Sequence, residues 1–518
     1  MDKNEAARTK KEKSQCTEAL PQILAVCVKN MLLLGFGMSL GFPTILIPGV
    51  SGGDKNEDII MDPEAISWIS SINLICVPLG CTASGFITHS IGRRRSMQIV
   101  NFPFLAAWLL FYFSKEVWQI FLASCITGLS GGLLEAPVLT YVAEITQPHL
   151  RGILSSTSTM AVVLGILSQF LLGTFYTWRT VGMINCFVPI SSFILLTFVP
   201  ETPVWLITKN RLEEAKKSIA WLRGWTTTDS IEDEYQELYK QIKMTENDDN
   251  VQSSLKKKLE SLKQFGNRSF LWPYFLVTTA FFLSHFNGNT PMQVYAIRLF
   301  KVLHAPISEY YSTVLMGAVQ LIGCIMCVSL INLLGKRVIN LISLSGSGVC
   351  FLIVGTYAYM HEIVNLDLND NDGEVYHWVP ITFLVISSFL SYFGLKVLPW
   401  ILIGEVFYTE IRATASGLSA GIGYIFGFIA NKIFLSLIDQ FSLPGVFWIY
   451  GTVGLVGTVI MYFILPETEG KTLFEITEHF AGRNRLKNSV RRMKQVSGQS
   501  NVAFEPDNKN YYNIESRL

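Results

Sequence analysis

The chain has 518 residues, half of them hydrophobic and only 16% charged, with a formal net charge of +1. Soluble proteins carry about a quarter charged residues, and a near-neutral chain has no electrostatic footprint for nucleic acid. Apolar runs of roughly 20 residues, long enough to cross a bilayer, recur along it, so the expected class is an all-α membrane protein.

Residues 1–21 read as a polar tail with Lys3, Arg8, Lys10, Lys11 and Lys13. Six spans follow in a first half, 22–200: about 22–48, 65–88, 97–114, 117–143, 153–175 and 180–199. The segment 201–270 is polar, and Leu212, Ala215, Ile219 and Leu222 at helical spacing predict amphipathic helices lying against the membrane face. A second half, 271–466, has spans at about 271–297, 310–332, 338–360, 378–404, 414–437 and 445–465, before a basic tail over 467–518. Lysine and arginine concentrate in both tails, the Gly92–Ser96 turn and the 201–270 segment, while 49–64 has only Lys55 and 361–377 has none. The positive-inside rule then puts both termini and the 201–270 segment in the cytoplasm, in a multi-pass protein of the cell membrane.

The two halves repeat. "GRRRS" (Gly92–Ser96) after the second span answers "GKRVI" (Gly335–Ile339) after the eighth. The fourth span ends with Glu144 and Arg151 seven apart, and the tenth with Glu405 and Arg412 seven apart. The sixth closes on Pro200-Glu201 and the twelfth on Pro466-Glu467. Paired landmarks in one order imply duplicated six-helix units, as in carriers built from parallel repeats. They also gather Arg93, Arg94, Glu144, Arg151, Glu405 and Arg412 on one plane, where ion pairs can latch the halves together in one state and release them in another.

As a set, the G-R-R turns, the E-x6-R-G end of the fourth span, "PETPVWL", the Pro399-Trp400 of the tenth span and "PETEGKT" resemble the sugar-porter branch of the major facilitator superfamily over roughly residues 20–480. Within it, "TYVAEITQPHLRG" and "PWILIGEVFYTEIRATASG" are most similar to insect facilitated trehalose transporter-like proteins. The resemblance implies twelve helices in two pseudo-symmetric halves with one site between them, and no chemistry on the solute. It also exposes departures. Where the branch has a Gln-Gln pair and an Asn in the seventh span, this chain has Ser284, His285 and Thr290. Thr159 stands for a fifth-span Gln, Tyr424 for an eleventh-span Trp, and Ser124 for a fourth-span Arg, while Trp400 is retained.

A sugar site needs several hydrogen-bonding groups and an aromatic face. The candidates are Thr159, Gln169, His285, Asn287, Asn289, Thr290, Gln293, Tyr295, Trp400 and Tyr424. Two charges sit at matching places in the repeat: Lys396 lies nine residues before Glu405, and Glu135 nine before Glu144. They are read as a gating pair at equal depth, against the alternative that each stands alone with the lysine snorkelling. The expected function is facilitative transport of a sugar such as trehalose or a hexose. A proton-coupled or organic-anion carrier using Lys396 and His285, or a non-transporting nutrient sensor, stands as the alternative. No nucleophile–base set is evident, and Cys324-x-x-Cys327 lies in an apolar span without a second ligand pair, so neither an enzyme nor a cofactor or metal is expected. The expected partners are a small solute and the lipid bilayer, with no obligate protein partner.

Overall fold

A computed structural model describes residues 3–53, 57–251, 266, 268–366, 378–407, 412–483, 485–486, 488 and 490, and every regular element among them is helical. In hydrocarbon only a helix or a closed barrel satisfies every backbone N–H and C=O, which explains the uniformity. The first half crosses six times, through Ala19–Gly52, Pro63–Ile91, Arg93–Phe113, Val117–Ile145, Gly152–Phe175 and Trp178–Leu196. The first helix begins earlier than the predicted span, at Lys3, because the tail is rich in Ala, Glu and Lys, which favour helix.

Three helices follow outside the spans: Pro203–Thr208, Leu212–Leu222 and Glu232–Val251. The amphipathic reading holds there, with Ala215, Ile219 and Leu222 buried and Trp205, Ile231 and Tyr235 packed in the same region. Residues 252–265, the 367–377 stretch and the tail from 491 onward lie outside the described residues. We call the side bearing the 203–251 helices the linker end, and the opposite side the far end.

In the second half, Glu309–Leu334, Lys336–Met360 and Trp378–Glu405 cross in turn. Two spans depart from simple helices. The seventh is broken: Arg268–Phe286 ends before Gly288 (φ 86°), and Asn289–Val294 and Ala296–Val302 continue it in short pieces. The eleventh and twelfth form one helical run of 53 residues, Arg412–Ile464. At 1.5 Å per residue that is about 80 Å, more than twice the hydrocarbon thickness. The run reverses at Ser442 (φ 59°, ψ 164°), so it supplies two crossings and the total is twelve.

Helices within the first half meet at glycines. A Cβ on Gly132 in the fourth span would strike the carbonyl oxygen of Val77 in the second, and one on Gly80 would strike that of Leu129. Between halves the packing is one-sided. At the far end a single apolar cluster holds Phe42, Ile45 and Trp108 with Tyr295, Phe434 and Tyr450. Thr44 donates to the Gln293 carbonyl (3.0 Å), and Asn431 to that of Ser70 (2.9 Å). Toward the linker end the core divides into two clusters, one around Val26, Met97 and Tyr141, which the second half enters through Tyr424, the other around Leu276, Leu402 and Phe407.

The glycine contact makes a direct test. Gly132→Ala will force the second and fourth spans apart and cost about 1–3 kcal/mol, the usual penalty of overpacking. Gly85→Ala in the same second span, where a Cβ meets nothing within 4 Å, will be neutral or slightly stabilising. Thermal unfolding of detergent-purified protein measures both, and equal melting temperatures would contradict the packing.

Candidate functional site

The two irregular stretches of the second half face each other. Gly288 breaks the seventh span because its left-handed conformation excludes most side chains, and a Cβ there would collide with the Tyr450 ring. The tenth span widens into a π-turn over Ser391–Leu395, and the Lys396 N–H bonds back to the Ser391 carbonyl at 2.8 Å. Such turns concentrate at functional sites. Across the gap Lys396 Nζ donates to Thr290 Oγ1 at 2.5 Å, and His285 Nδ1 lies 3.4 Å from the ammonium and 3.1 Å from the same hydroxyl. Lys396 thus has hydroxyl and imidazole neighbours and no carboxylate within 4.0 Å among the described residues.

One turn further along the tenth span, the Trp400 indole is 37% exposed. Its ring lies edge-on to Phe281 at 5.3 Å and 5.7 Å from Tyr424. Tyr424 itself reaches into the first half's cluster beside Phe36, Val77 and Leu134. Glu135, the next residue, is half-buried within electrostatic reach of Tyr424 and Cys81. Gln293 accepts from Tyr392 at 3.4 Å and, like Thr159, is half-buried. Tyr295 is buried against Phe434. Ammonium, imidazole, hydroxyl, amide and an open indole face together form a polar site with one aromatic wall.

At the linker end each half carries the same clamp. Glu201 accepts from the backbone N–H groups of Arg93 and Arg94 (both 3.0 Å), and Glu467 accepts from those of Lys336 and Arg337 (3.2 and 3.1 Å). A carboxylate on the free amides of a helix start satisfies them and meets the positive end of the dipole. Gly92 (φ 106°) and Gly335 (φ 86°) precede those starts, since a Cβ at either would overlap the glutamate. The first basic residue of each turn then reaches across: Arg93 to Glu144 at 2.8 Å, and Lys336 to Glu405 at 2.6 Å and Glu469 at 2.8 Å.

A family model described as "Sugar (and other) transporter" matches residues 25–480. The chain belongs to the sugar transporter family. Facilitated trehalose transporters named Tret1 from Apis mellifera ligustica and Bombyx mori are 28% and 27% identical to it over 92% of this chain, covering 91% and 89% of their own length. Among solved structures, the proton:xylose symporter XylE bound to 6-bromo-6-deoxy-D-glucose matches with a TM-score of 0.65 at 19% identity, over 89% of this chain and 98% of that one. The inward open conformation of the xylose transporter XylE from E. coli matches with a TM-score of 0.68 at 18% identity, over 87% and 98%. At such identities the likeness establishes the fold.

In this transporter the sequence candidates divide. His285 and Thr290 contact Lys396, Trp400 stands one turn along the tenth span with Tyr424 against it, and Gln293 lies one turn beyond Thr290, bonded to Tyr392. Gln169 does not join them: it exchanges two hydrogen bonds with Asn185 (3.1 and 2.9 Å), both residues fully buried. Asn287 and Asn289 are also buried, bonded to Ser347, with Ser387 donating to Asn289. Glu135 and Lys396 form no ion pair in this state. Arg93 and Glu144 pair within the first half and Lys336 and Glu405 within the second, so the ion pairs seen at this end join helices of one half. The side chains of Arg151 and Arg412 lie outside the described ones; Arg94 donates to the Val199 carbonyl at 3.0 Å. Sequence reasoning passed over Lys29, a fully buried ammonium that donates to Ser158 at 2.7 Å beside Thr159. Its signal was a lysine in the apolar run "AVCVKNMLLL".

The clamps differ in redundancy. Removing one member of a desolvated pair costs about 3–5 kcal/mol, and at partly hydrated sites we expect about 1–2 kcal/mol. Glu144→Gln strands Arg93, whereas Glu405→Gln leaves Lys336 its contact with Glu469. The first change will therefore lower the melting temperature more than the second. Shifts in the reverse order would refute this assignment of partners.

Proposed function

We propose that this protein is a facilitative uniporter of a sugar, with a disaccharide such as trehalose or a hexose as its solute, working by alternating access. The observation that carries this reading is the exposed Trp400 face set beside the Lys396–Thr290–His285 cluster, between halves joined at one end. An indole offers the C–H face of a sugar ring a flat apolar partner, and the surrounding hydroxyl, amide and amine groups suit its hydroxyls. The reading is supported by the names of the relatives. We place the linker end in the cytoplasm, in the cell membrane, on the strength of the basic loops; the structure then represents a carrier closed outside and separated inside.

Uniport is favoured over symport by the first span, Ala19–Gly52, which contains no Asp or Glu. A coupled carrier needs a membrane-embedded group whose charge changes through the cycle; of the embedded groups, this proposal gives Glu135 and Lys396 to the gate and His285 to the solute. Uptake of radiolabelled trehalose and glucose into proteoliposomes will stop at equal concentrations inside and out and will ignore a protonophore. Accumulation driven by a pH gradient would refute uniport; a protein that moves neither sugar would refute the solute class.

The gating role of Glu135 and Lys396 belongs to the same proposal. Separated here, they are to meet when the linker end closes, since an unpaired charge in a bilayer costs several kcal/mol and a partner offsets part of that. Glu135→Lys and Lys396→Glu will each abolish uptake, and the double exchange will recover it at equal surface expression. Absence of recovery would leave Lys396 as a solute ligand and nothing more.

A further inference from the structure

A second basic site lies away from the transport path. Between the end of the sixth span, the start of the third and the helix Leu212–Leu222 is a cavity of about 330 Å³, lined by Arg94, Arg95, Lys217, Phe198, Trp221 and the Arg211–Glu214 pair, among others. Its acids are engaged. Glu201 holds the amides of Arg93 and Arg94, and Glu214 is bound by Arg211 through two hydrogen bonds (2.8 and 2.5 Å). Arg95 and Lys217 are exposed and face no such counter-ion among the described residues, so the cavity lining keeps a surplus of two positive charges.

The repeat shows that the fold does not require Arg95. In the second half the clamp uses Lys336 and Arg337, yet the position of Arg95 is Val338. Arg95 is thus an addition to a shared framework, and Lys217 comes from the linker helix Leu212–Leu222, beside it. The cavity's other wall is apolar. Phe198 is 70% exposed and continues the bare face of the sixth span, where Phe187 is 69% and Ile194 52% exposed. A basic recess opening beside a lipid-facing helix matches a molecule with an anionic head and an acyl chain.

We propose that this cavity binds the phosphate of an anionic phospholipid, with Arg95 and Lys217 holding the headgroup and a chain lying along Phe198. Guanidinium and ammonium groups recognise phosphate by charge-assisted hydrogen bonds, and the negative cytoplasmic leaflet supplies such lipids. A soluble phosphate ester shares the head chemistry but has no use for the apolar wall.

The test compares thermal unfolding of the full chain in neutral detergent with added phosphatidylserine, phosphatidylcholine, or glycerophosphoserine, which has the head without chains. Phosphatidylserine will raise the melting temperature above the phosphatidylcholine value, and glycerophosphoserine will not. The variant Arg95→Ala with Lys217→Ala will lose most of that rise. The charge-matched control Lys209→Ala with Lys240→Ala, on exposed parts of the same segment, will keep it. If the double variant does not fold, Lys217→Gln alone serves, with a partial loss expected. An equal rise in the double variant, or an equal loss in the control, would overturn the site. An equal response to glycerophosphoserine would overturn the lipid and leave a soluble phosphate ligand.

Discussion

A peptide group in hydrocarbon has no water to bond, so a transmembrane chain can leave the helix only where other protein receives its freed N–H and C=O. That constraint decides where this transporter's working parts can stand. Two interruptions of helical geometry in its second half, the break at Gly288 and the π-turn over Ser391–Leu395, meet through Thr290 and Lys396. Loosened backbone and a polar side-chain cluster therefore coincide. The same constraint at the membrane edge produces the glutamate clamps, where Glu201 and Glu467 supply the acceptors that the first turns of two helices lack.

The clamps also bear on how the halves behave. Each ties three elements of one half together: the basic turn, the end of the fourth or tenth span, and the segment after the sixth or twelfth. With glycine contacts such as Gly132 on Val77, this makes each half stiff, and the division of the apolar core at the linker end leaves relative motion to the boundary between them. Rigid-body rocking asks for this distribution of stiffness.

The architecture was legible in the sequence because its signals are redundant: span length, charge asymmetry and the doubled Gly92/Gly335, Glu144/Glu405 and Glu201/Glu467 landmarks agree. The site was legible in part. Spacing identifies the helix that a residue occupies, but not which face looks inward, and so Gln169 was indistinguishable from a solute ligand until its bonds to Asn185 were seen. Asn289 was hidden for the same reason, its amide engaged by Ser347 and Ser387 from neighbouring spans. The clamps show a further limit. Acids and bases predicted on one plane can pair within a half or between halves, and only geometry separates the two. Lys29 escaped because a single lysine hardly alters the hydropathy of a long apolar run.

The elbow at Ser442 has a mechanical meaning. A non-glycine residue at φ 59° and ψ 164° occupies a region that is costly without a Cβ-free residue, and the next N–H, of Leu443, is held by the Val364 carbonyl at 2.8 Å. The eleventh and twelfth spans are consequently joined by a sprung corner with no slack, pinned to the strand of chain that leaves the ninth. Tyr424, whose ring stands 5.7 Å from Trp400, rides on one arm of that hairpin, so a displacement felt there is passed to the twelfth span as a tilt of the whole arm.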